Sequence, residues 1–160
     1  NAAEKGLERI LECSSKYPQL TAVVGLPVRT GVRILNCAAV VSGGQLRSLV
    51  SKTYLADYGE SSESRWFSTA AEGTAVKLAG NTVFVDSETL YPLADTMVGI
   101  EICEDLFAPI APSAIHALSG AEVILNLAAS PETAGKRSPD GCPQNQDRQK
   151  ASRHFLKLCF

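Results

Sequence analysis

Apolar positions at the start of the chain follow the helical period and then give way to a strand pattern. From Ala3 to Leu11, apolar side chains recur at helical spacing with charges between them, which predicts an amphipathic helix ending near Tyr17. The run from Thr21 to Val28 is apolar and rich in β-branched residues. That composition predicts a strand.

A hairpin and a long polar loop come next. Val32 to Val41 and Leu46 to Val50 are strand-like, and Gly43-Gly44 between them supplies the positive φ angles of a tight turn. The polar segment from Lys52 to Arg65 is too long and too charged for a simple turn. Loops of this length in a compact domain are usually functional, so we expect this one to carry site residues.

The second half of the chain predicts strands joined by a short helix. Three segments have strand patterns, namely Thr82 to Asp86, Met97 to Ile102 and Glu122 to Leu127. Pro109 and Pro112 mark the entry to a helix between the last two strands. This succession predicts a crossover unit with helices packed on sheet faces, and therefore an α/β fold.

The last residues predict a loop and a further helix. Ser138 to Gln146 is rich in Pro, Gly and Gln, whereas Asp147 to Phe160 is basic and partly apolar and predicts a helix. The chain begins at Asn1 rather than at methionine, and its pattern runs to the last residue without a terminating signal. We therefore expect the domain to be incomplete at both ends.

Composition narrows the class of protein. The chain has 160 residues, 45% of them hydrophobic, which suffices for the core of one domain. A formal net charge of -2 leaves no basic surplus to neutralise phosphates, so we expect neither nucleic acid nor a membrane surface as a partner. The apolar runs are too short for a bilayer, whose crossing takes roughly 20 residues. These properties favour a small neutral or zwitterionic substrate.

Five cysteines are scattered along the chain: Cys13, Cys37, Cys103, Cys142 and Cys159. They form no C-x-x-C pair and lie near no cluster of histidines, so we expect no structural metal site. Reduced thiols in a cytoplasmic protein fit this distribution. Cys103 differs from the others because it directly follows an apolar strand, where α/β sheets place reactive groups, and it could attack a carbonyl. A buried structural cysteine is the alternative for Cys103 and the preferred interpretation of the other four.

Two segments resemble the nitrilase superfamily of carbon-nitrogen hydrolases. The first resembles its lysine loop and comprises Lys52 to Leu55, Asp57 to Glu60 and Arg65 to Phe67. The second, Gly99 to Pro109, resembles its nucleophile strand in the form found in glutamine-dependent NAD synthetases. Shorter similar segments are Val24 to Val28, Leu118 to Ala121, Val123 to Leu127 and Ala129 to Pro131. The resemblance covers most of Ala3 to Lys136.

The resemblance implies a nitrilase-like four-layer αββα sandwich with a triad of glutamate, lysine and cysteine. Cys103 would be the nucleophile and Lys52 its cationic partner, because an ammonium beside a thiol favours the thiolate and stabilises an oxyanion. Glu60 would be a supporting glutamate that holds the lysine and the substrate amide. For Lys52 and Glu60 the alternative is a solvated surface residue.

The resemblance also implies a set of glutamine-binding residues. Tyr58, Glu104 and Ser130 match positions at which a carboxylate receives the substrate ammonium and a hydroxyl meets its carboxylate. Lys136 falls where a basic residue of the family can pair with the substrate carboxylate, although Arg137 could serve equally. This domain would need no metal and no cofactor.

Three departures from the family pattern change these expectations. The general-base glutamate of the triad would precede Asn1 and is absent, which predicts a rate loss of roughly 10²-fold or more. Ala56 stands where the family commonly has proline, which should loosen the loop that carries Lys52. Ser138 to Gln146 replaces a segment that usually leads straight into a helix, which affects the substrate-carboxylate end of the pocket.

The function that the resemblance implies is hydrolysis of the side-chain amide of glutamine, with residues 1–160 as a partial amidohydrolase domain. The ammonia would pass to a synthetase domain that uses ATP and magnesium to amidate nicotinate adenine dinucleotide to NAD, and that domain is not in this sequence. The parent enzyme would be a homo-oligomer. Two alternatives stay open: a stand-alone amidase of the same superfamily, and a non-catalytic remnant of one.

Overall fold

The structure is a computed structural model that describes residues 1–58 and 61–129 and the backbone of residues 154–159. The chain divides into two compact units, Asn1–Ser87 and Glu88–Phe160. The expectation of a single domain stays a prediction.

The first unit begins with helix α1, Ala2–Ser15. Its N-terminus is capped by Asn1, whose side-chain oxygen accepts a hydrogen bond from the backbone N–H of Glu4 at 2.9 Å. Leu7 and Leu11 are buried and belong to the stripe that the apolar period predicts. The predicted helix is therefore confirmed.

Three antiparallel strands follow in the order β1-β2-β3, namely β1 (Thr21–Thr30), β2 (Arg33–Ser42) and β3 (Gln45–Ser51). Gly43 and Gly44 make the turn between β2 and β3 with φ angles of 57° and 77°. Such angles are accessible to glycine without steric cost. The predicted strand and hairpin are both confirmed.

A 3-10 helix and a small two-stranded sheet complete the first unit. The 3-10 helix spans Glu63–Arg65, and β4 (Ala75–Leu78) pairs antiparallel with β5 (Asn81–Phe84). Strand β5 confirms the strand expected near Thr82, whereas β4 was not expected, because four residues carry little periodicity. The core of this unit is formed by Leu7, Leu11, Leu26, Val28, Leu35, Cys37, Ala39, Val41, Leu46, Leu49, Val76, Leu78, Val83 and Val85.

The second unit contains a four-stranded sheet in the order β6-β7-β8-β9. Strands β6 (Tyr91–Leu93) and β7 (Thr96–Ile102) are antiparallel, while β7 and β8 (Val123–Ala128) are parallel. Helix α2, Pro112–Leu118, lies between β7 and β8 in the sequence. This arrangement confirms the predicted crossover unit and places the ends of β7 and β8 side by side.

The last strand corrects an expectation from the sequence. Residues from Asp147 to Phe160 were expected to form a helix, but β9 (His154–Cys159) is a strand parallel to β8. A short run of apolar residues does not distinguish a strand from a helix by its period, and the open edge of β8 offers backbone hydrogen-bond partners. The predicted loop, Ser138 to Gln146, lies outside the described residues.

Candidate functional site

Cys103 occupies a sharp turn at the end of β7. It is the first residue of a 3-10 helix, Cys103–Phe107, and its φ angle is 48°. A left-handed conformation costs a residue with a side chain about 1 to 3 kcal/mol and is kept only where the surroundings enforce it. The side chain of Cys103 is half-buried. The turn thus presents a free thiol from a constrained backbone.

Buried polar groups on both sides of Cys103 fix this turn. The backbone N–H of Ile102 donates to Oδ2 of Asp105 at 3.0 Å, and Asp105 is itself buried. The backbone carbonyl of Cys103 accepts a hydrogen bond from Nδ2 of Asn126 at 3.3 Å. The backbone of this turn is therefore held by two hydrogen bonds, neither of which involves the thiol of Cys103.

Asn126 is held in turn by Glu101, its neighbour on the adjacent strand. Glu101 in β7 and Asn126 in β8 are paired in the parallel register, and both are fully buried. Oε1 of Glu101 accepts from Nδ2 of Asn126 at 3.0 Å, and Oε2 accepts from the backbone N–H of Ser113 at 3.0 Å. The sequence assigned no role to Glu101 or Asn126. A polar residue inside each of two apolar strands was the signal that could have found them.

The β7 strand is also fitted closely against α2. The side chain of His116 is buried and lies over Gly99, where a Cβ atom would come within 2.5 Å of Nδ1 of His116. Only glycine leaves room for the imidazole at this point. The position of α2 on the sheet therefore depends on Gly99.

Lys52 directly follows β3 and is buried, with 2% of its surface exposed. Its backbone N–H donates to the carbonyl of Asn36 at 2.8 Å. Its ammonium forms an ion pair with the carboxylate of Glu63. A buried ammonium needs such a counter-charge, so the solvated alternative for Lys52 is wrong.

Glu63 was not singled out from the sequence, although the structure makes it the partner of Lys52. Its Oε2 atom also accepts the backbone N–H of Ala56 at 2.7 Å, and its Oε1 atom accepts Nδ2 of Asn36 at 3.2 Å. Three donors thus converge on one carboxylate. Glu60, expected to hold the lysine, lies outside the described residues, so its role stays a prediction.

The remaining candidates are only partly described. The side chain of Tyr58 is 63% exposed, and Glu104 is half-buried beside Cys103 in the chain. Ser130 and Lys136 lie outside the described residues. Lys52 belongs to the first unit and Cys103 to the second. Their proximity, and the binding roles of Tyr58 and Glu104, stay predictions.

The thiols of the described residues differ sharply in their surroundings. Cys37 is fully buried in the core of the first unit, and burial raises the pKa of its thiol to about 12. Cys13 is exposed on α1. The three cysteines whose side chains are described are free thiols, and Cys103 alone among them lies on a left-handed turn.

Proteins of known identity match this chain in sequence. Over 134 residues the chain is 37% identical to the glutamine-dependent NAD(+) synthetase of Mycobacterium tuberculosis, a match that covers 81% of the chain. The chain is a homologue of the glutamine-dependent NAD(+) synthetases. It spans about a fifth of the length of these relatives, since the match covers 19% of the Mycobacterium tuberculosis protein. No family model matches the chain.

Solved structures agree with this homology. The glutamine-dependent NAD(+) synthetase of Cytophaga hutchinsonii matches 84% of the chain with a TM-score of 0.65 and 28% identity, over 22% of its own length. A mutant Nesterenkonia amidase from the nitrilase superfamily matches 81% of the chain with a TM-score of 0.57, over 44% of its own length. At 16% identity that second likeness shows the fold alone. The resemblance and the nitrilase-type α/β fold class expected from the sequence are confirmed.

Proposed function

We propose that the chain is the glutamine-hydrolysing part of a glutamine-dependent NAD(+) synthetase, with Cys103 as nucleophile. The observation that carries this proposal is the constrained turn of Cys103, at the carboxyl end of β7, in a homologue of these synthetases. A half-buried thiol on a fixed backbone is suited to attack a carbonyl carbon, because its direction is set before the substrate arrives.

The proposed reaction has two steps, formation of a thioester on Cys103 and its hydrolysis. The sulfur of Cys103 bonds to the amide carbon of the glutamine side chain, the carbon-nitrogen bond breaks, and the thiol proton leaves with the nitrogen as ammonia. Water then attacks the resulting glutamyl thioester, which releases glutamate and restores the thiol. A covalent intermediate of this kind divides one difficult hydrolysis into two easier steps.

Lys52 supplies the positive charge of the proposed site. An ammonium close to Cys103 favours the thiolate and stabilises the oxyanion that forms on the amide oxygen. The ion pair with Glu63 holds this ammonium in one place. Glu63 thereby supports Lys52, and Glu60 is proposed to hold the lysine together with the substrate amide.

The glutamine-binding groups belong to the same proposal. Glu104 follows the nucleophile directly and is suited to receive the ammonium of the substrate, while the hydroxyl of Tyr58 on the lysine loop is suited to a polar contact. Ser130 and Lys136 would meet the substrate carboxylate. None of these roles needs a metal ion, and among the described residues no group of three metal-binding side chains is found.

The rest of the parent enzyme is proposed by homology. Ammonia would pass to a synthetase domain that uses ATP and magnesium to form NAD, in a homo-oligomer located in the cytoplasm. The name of the relatives supports the substrate and the product. In the described part of the chain, no helix has the length and apolarity to cross a membrane.

Substitution of the nucleophile tests the proposal. In the protein with its synthetase domain, Cys103→Ala should abolish NAD synthesis from glutamine and leave synthesis from ammonia intact, because only the amide-cleaving step needs the thiol. Cys13→Ala is the matched control and should leave both activities unchanged. Continued use of glutamine by the Cys103→Ala variant would show that another residue is the nucleophile. Cleavage of other amides but not of glutamine would indicate an amidase of different specificity.

A further inference from the structure

We propose that Glu101 and Asn126 are positioning residues that hold the backbone of Cys103 in its left-handed conformation. The inference rests on the proposed function, because it assigns the pair a part in the reaction of that thiol. Asn126 contacts the carbonyl of Cys103, and Glu101 fixes the direction in which Asn126 points.

The hydrogen bonds allow the Asn126 amide only one orientation. Its nitrogen has two N–H groups, and one reaches Oε1 of Glu101 at 3.0 Å while the other reaches the carbonyl of Cys103 at 3.3 Å. Both of these partners are acceptors, so a flipped amide would turn its own oxygen toward two other oxygens. The donor at Cys103 is therefore present only while Glu101 offers an acceptor to Asn126.

Glu101 is itself fixed by a second element. Its Oε2 atom accepts the backbone N–H of Ser113 in the first turn of α2 at 3.0 Å. The two oxygens of one carboxyl group thus join β8 to α2, through a buried contact with Asn126 and a partly buried contact with Ser113. Rotation of the Glu101 side chain would break two hydrogen bonds at once.

Fold stability alone does not call for polar residues at these positions. The neighbours Ile100, Ile102, Ile124 and Leu127 are all buried and apolar. Burying a carboxyl and an amide costs free energy even when they are paired, and apolar replacements of similar volume are often neutral or stabilising. What the pair provides is a donor for the carbonyl of Cys103, whose φ angle of 48° requires support.

The substitution Glu101→Gln tests the chain of contacts. The new amide must offer its oxygen to Ser113, so it turns its NH2 group toward Asn126. Asn126 then flips to accept that bond, and the carbonyl of Cys103 loses its donor. We expect kcat for glutamine hydrolysis to fall by about 10- to 100-fold with little change in KM, because the thiol is misplaced rather than the substrate. Alkylation of Cys103 by iodoacetamide in the 160-residue chain should slow by about tenfold at neutral pH.

The double variant Glu101→Gln with Asn126→Asp removes the same donor in a second way. The hydrogen bond between positions 101 and 126 and the contact with Ser113 are kept, because the new amide group can donate to the new carboxylate while its oxygen accepts from Ser113. The carbonyl of Cys103 lacks a donor, because a carboxylate has none. We expect kcat and the alkylation rate to stay as low as in Glu101→Gln. Recovery of kcat and of the alkylation rate in the double variant would overturn the inference and leave the pair a purely structural role.

Two further measurements keep this result distinct from a failure of the proposed function. Ile124→Val, a core change on the same strand β8, should lower the melting temperature without changing the alkylation rate of Cys103. If the unmodified protein does not hydrolyse glutamine, the proposed function fails, whereas the alkylation rates still test the positioning. Equal alkylation rates in the unmodified chain and in the double variant would refute the positioning role whatever the substrate is.

Discussion

Lys52 and Cys103 each follow the last residue of a strand, β3 and β7, and the structure treats their side chains differently. Lys52 is held at its backbone by Asn36 and also at the tip of its side chain, by an ion pair with Glu63. Cys103 is held at its backbone carbonyl by Asn126, and among the described cysteines it is a free thiol. The difference follows from the chemistry of the two side chains. A buried ammonium needs a counter-charge, whereas a nucleophilic thiol must remain free to reach its substrate.

The two supports also differ in their place in the fold. Glu63 belongs to the lysine loop, eleven residues after Lys52, and its side chain is 21% exposed. Asn126 belongs to a central strand and is fully buried. We therefore expect substitutions near Lys52 to alter the stability of the fold through charge, and substitutions near Cys103 to alter it through packing.

The largest expected effect is the loss of the charge partner of Lys52. Glu63→Gln removes the counter-charge that the described residues offer to the buried ammonium, and we expect the free energy of unfolding to fall by about 3 kcal/mol. Urea denaturation measures this change. Lys52→Met is the matched control: it removes the charge instead of stranding it, so it should destabilise the chain by less. An equal loss in the two variants would mean that desolvation of the ammonium is not what makes Glu63 necessary.

A packing change beside Cys103 comes next. Gly99→Ala would place a methyl group within 2.5 Å of the His116 ring, and we expect a loss of about 2 kcal/mol because the ring must move. Gly25→Ala is the control, since nothing lies within 4 Å of the added Cβ on β1. Thermal unfolding of both variants measures the difference. A Gly99→Ala chain as stable as Gly25→Ala would show that α2 can shift freely on the sheet.

Some of these features were predicted from the sequence, and those that were missed have physical reasons. The end of β7 at Cys103 was predicted because an apolar run that stops at a turn has a clear boundary. The contact between Glu63 and Lys52 was not predicted. The position of a residue along an irregular loop does not determine which side chain folds back onto the lysine. Strand β9 was mistaken for a helix, since its pairing with β8 depends on tertiary structure.

Glu101 and Asn126 show a different limit of the sequence. Each stands alone in an apolar strand, which marks it as unusual, but the strand register alone brings the two opposite each other. A charged residue inside an apolar strand therefore indicates that a partner exists, without indicating where it is.

The buried thiol of Cys37 allows a smaller test by pH. Burial raises the pKa of Cys37 from 9.0 to about 12, so the folded chain keeps this proton over a range in which the unfolded chain releases it. The free energy of unfolding should therefore be unaffected by Cys37 below pH 9 and fall by about 1.4 kcal/mol per pH unit above it. In Cys37→Ala that contribution should be absent. Identical slopes for the two chains between pH 9 and 10 would contradict the burial of the thiol.

The smallest expected effect concerns Ala56, where the family commonly has proline. The sequence suggested that alanine loosens the loop, but the N–H of Ala56 donates to Glu63 at 2.7 Å, and proline has no N–H to donate. A hydrogen bond to a charged group contributes about 1.5 to 3 kcal/mol, whereas proline gains about 0.4 to 1 kcal/mol by restricting the unfolded chain. Ala56→Pro should therefore destabilise this protein by about 1 kcal/mol, the difference between these two effects.

A double-mutant cycle in urea isolates the contact between Ala56 and Glu63. In the Glu63→Gln background the acceptor is neutral and the bond weaker, so Ala56→Pro should cost less there than in the unmodified chain. If proline is equally unfavourable in both backgrounds, its effect comes from the backbone of the loop and not from Glu63. If proline stabilises both, the alanine does loosen the loop, and the hydrogen bond from Ala56 to Glu63 is not needed to hold it.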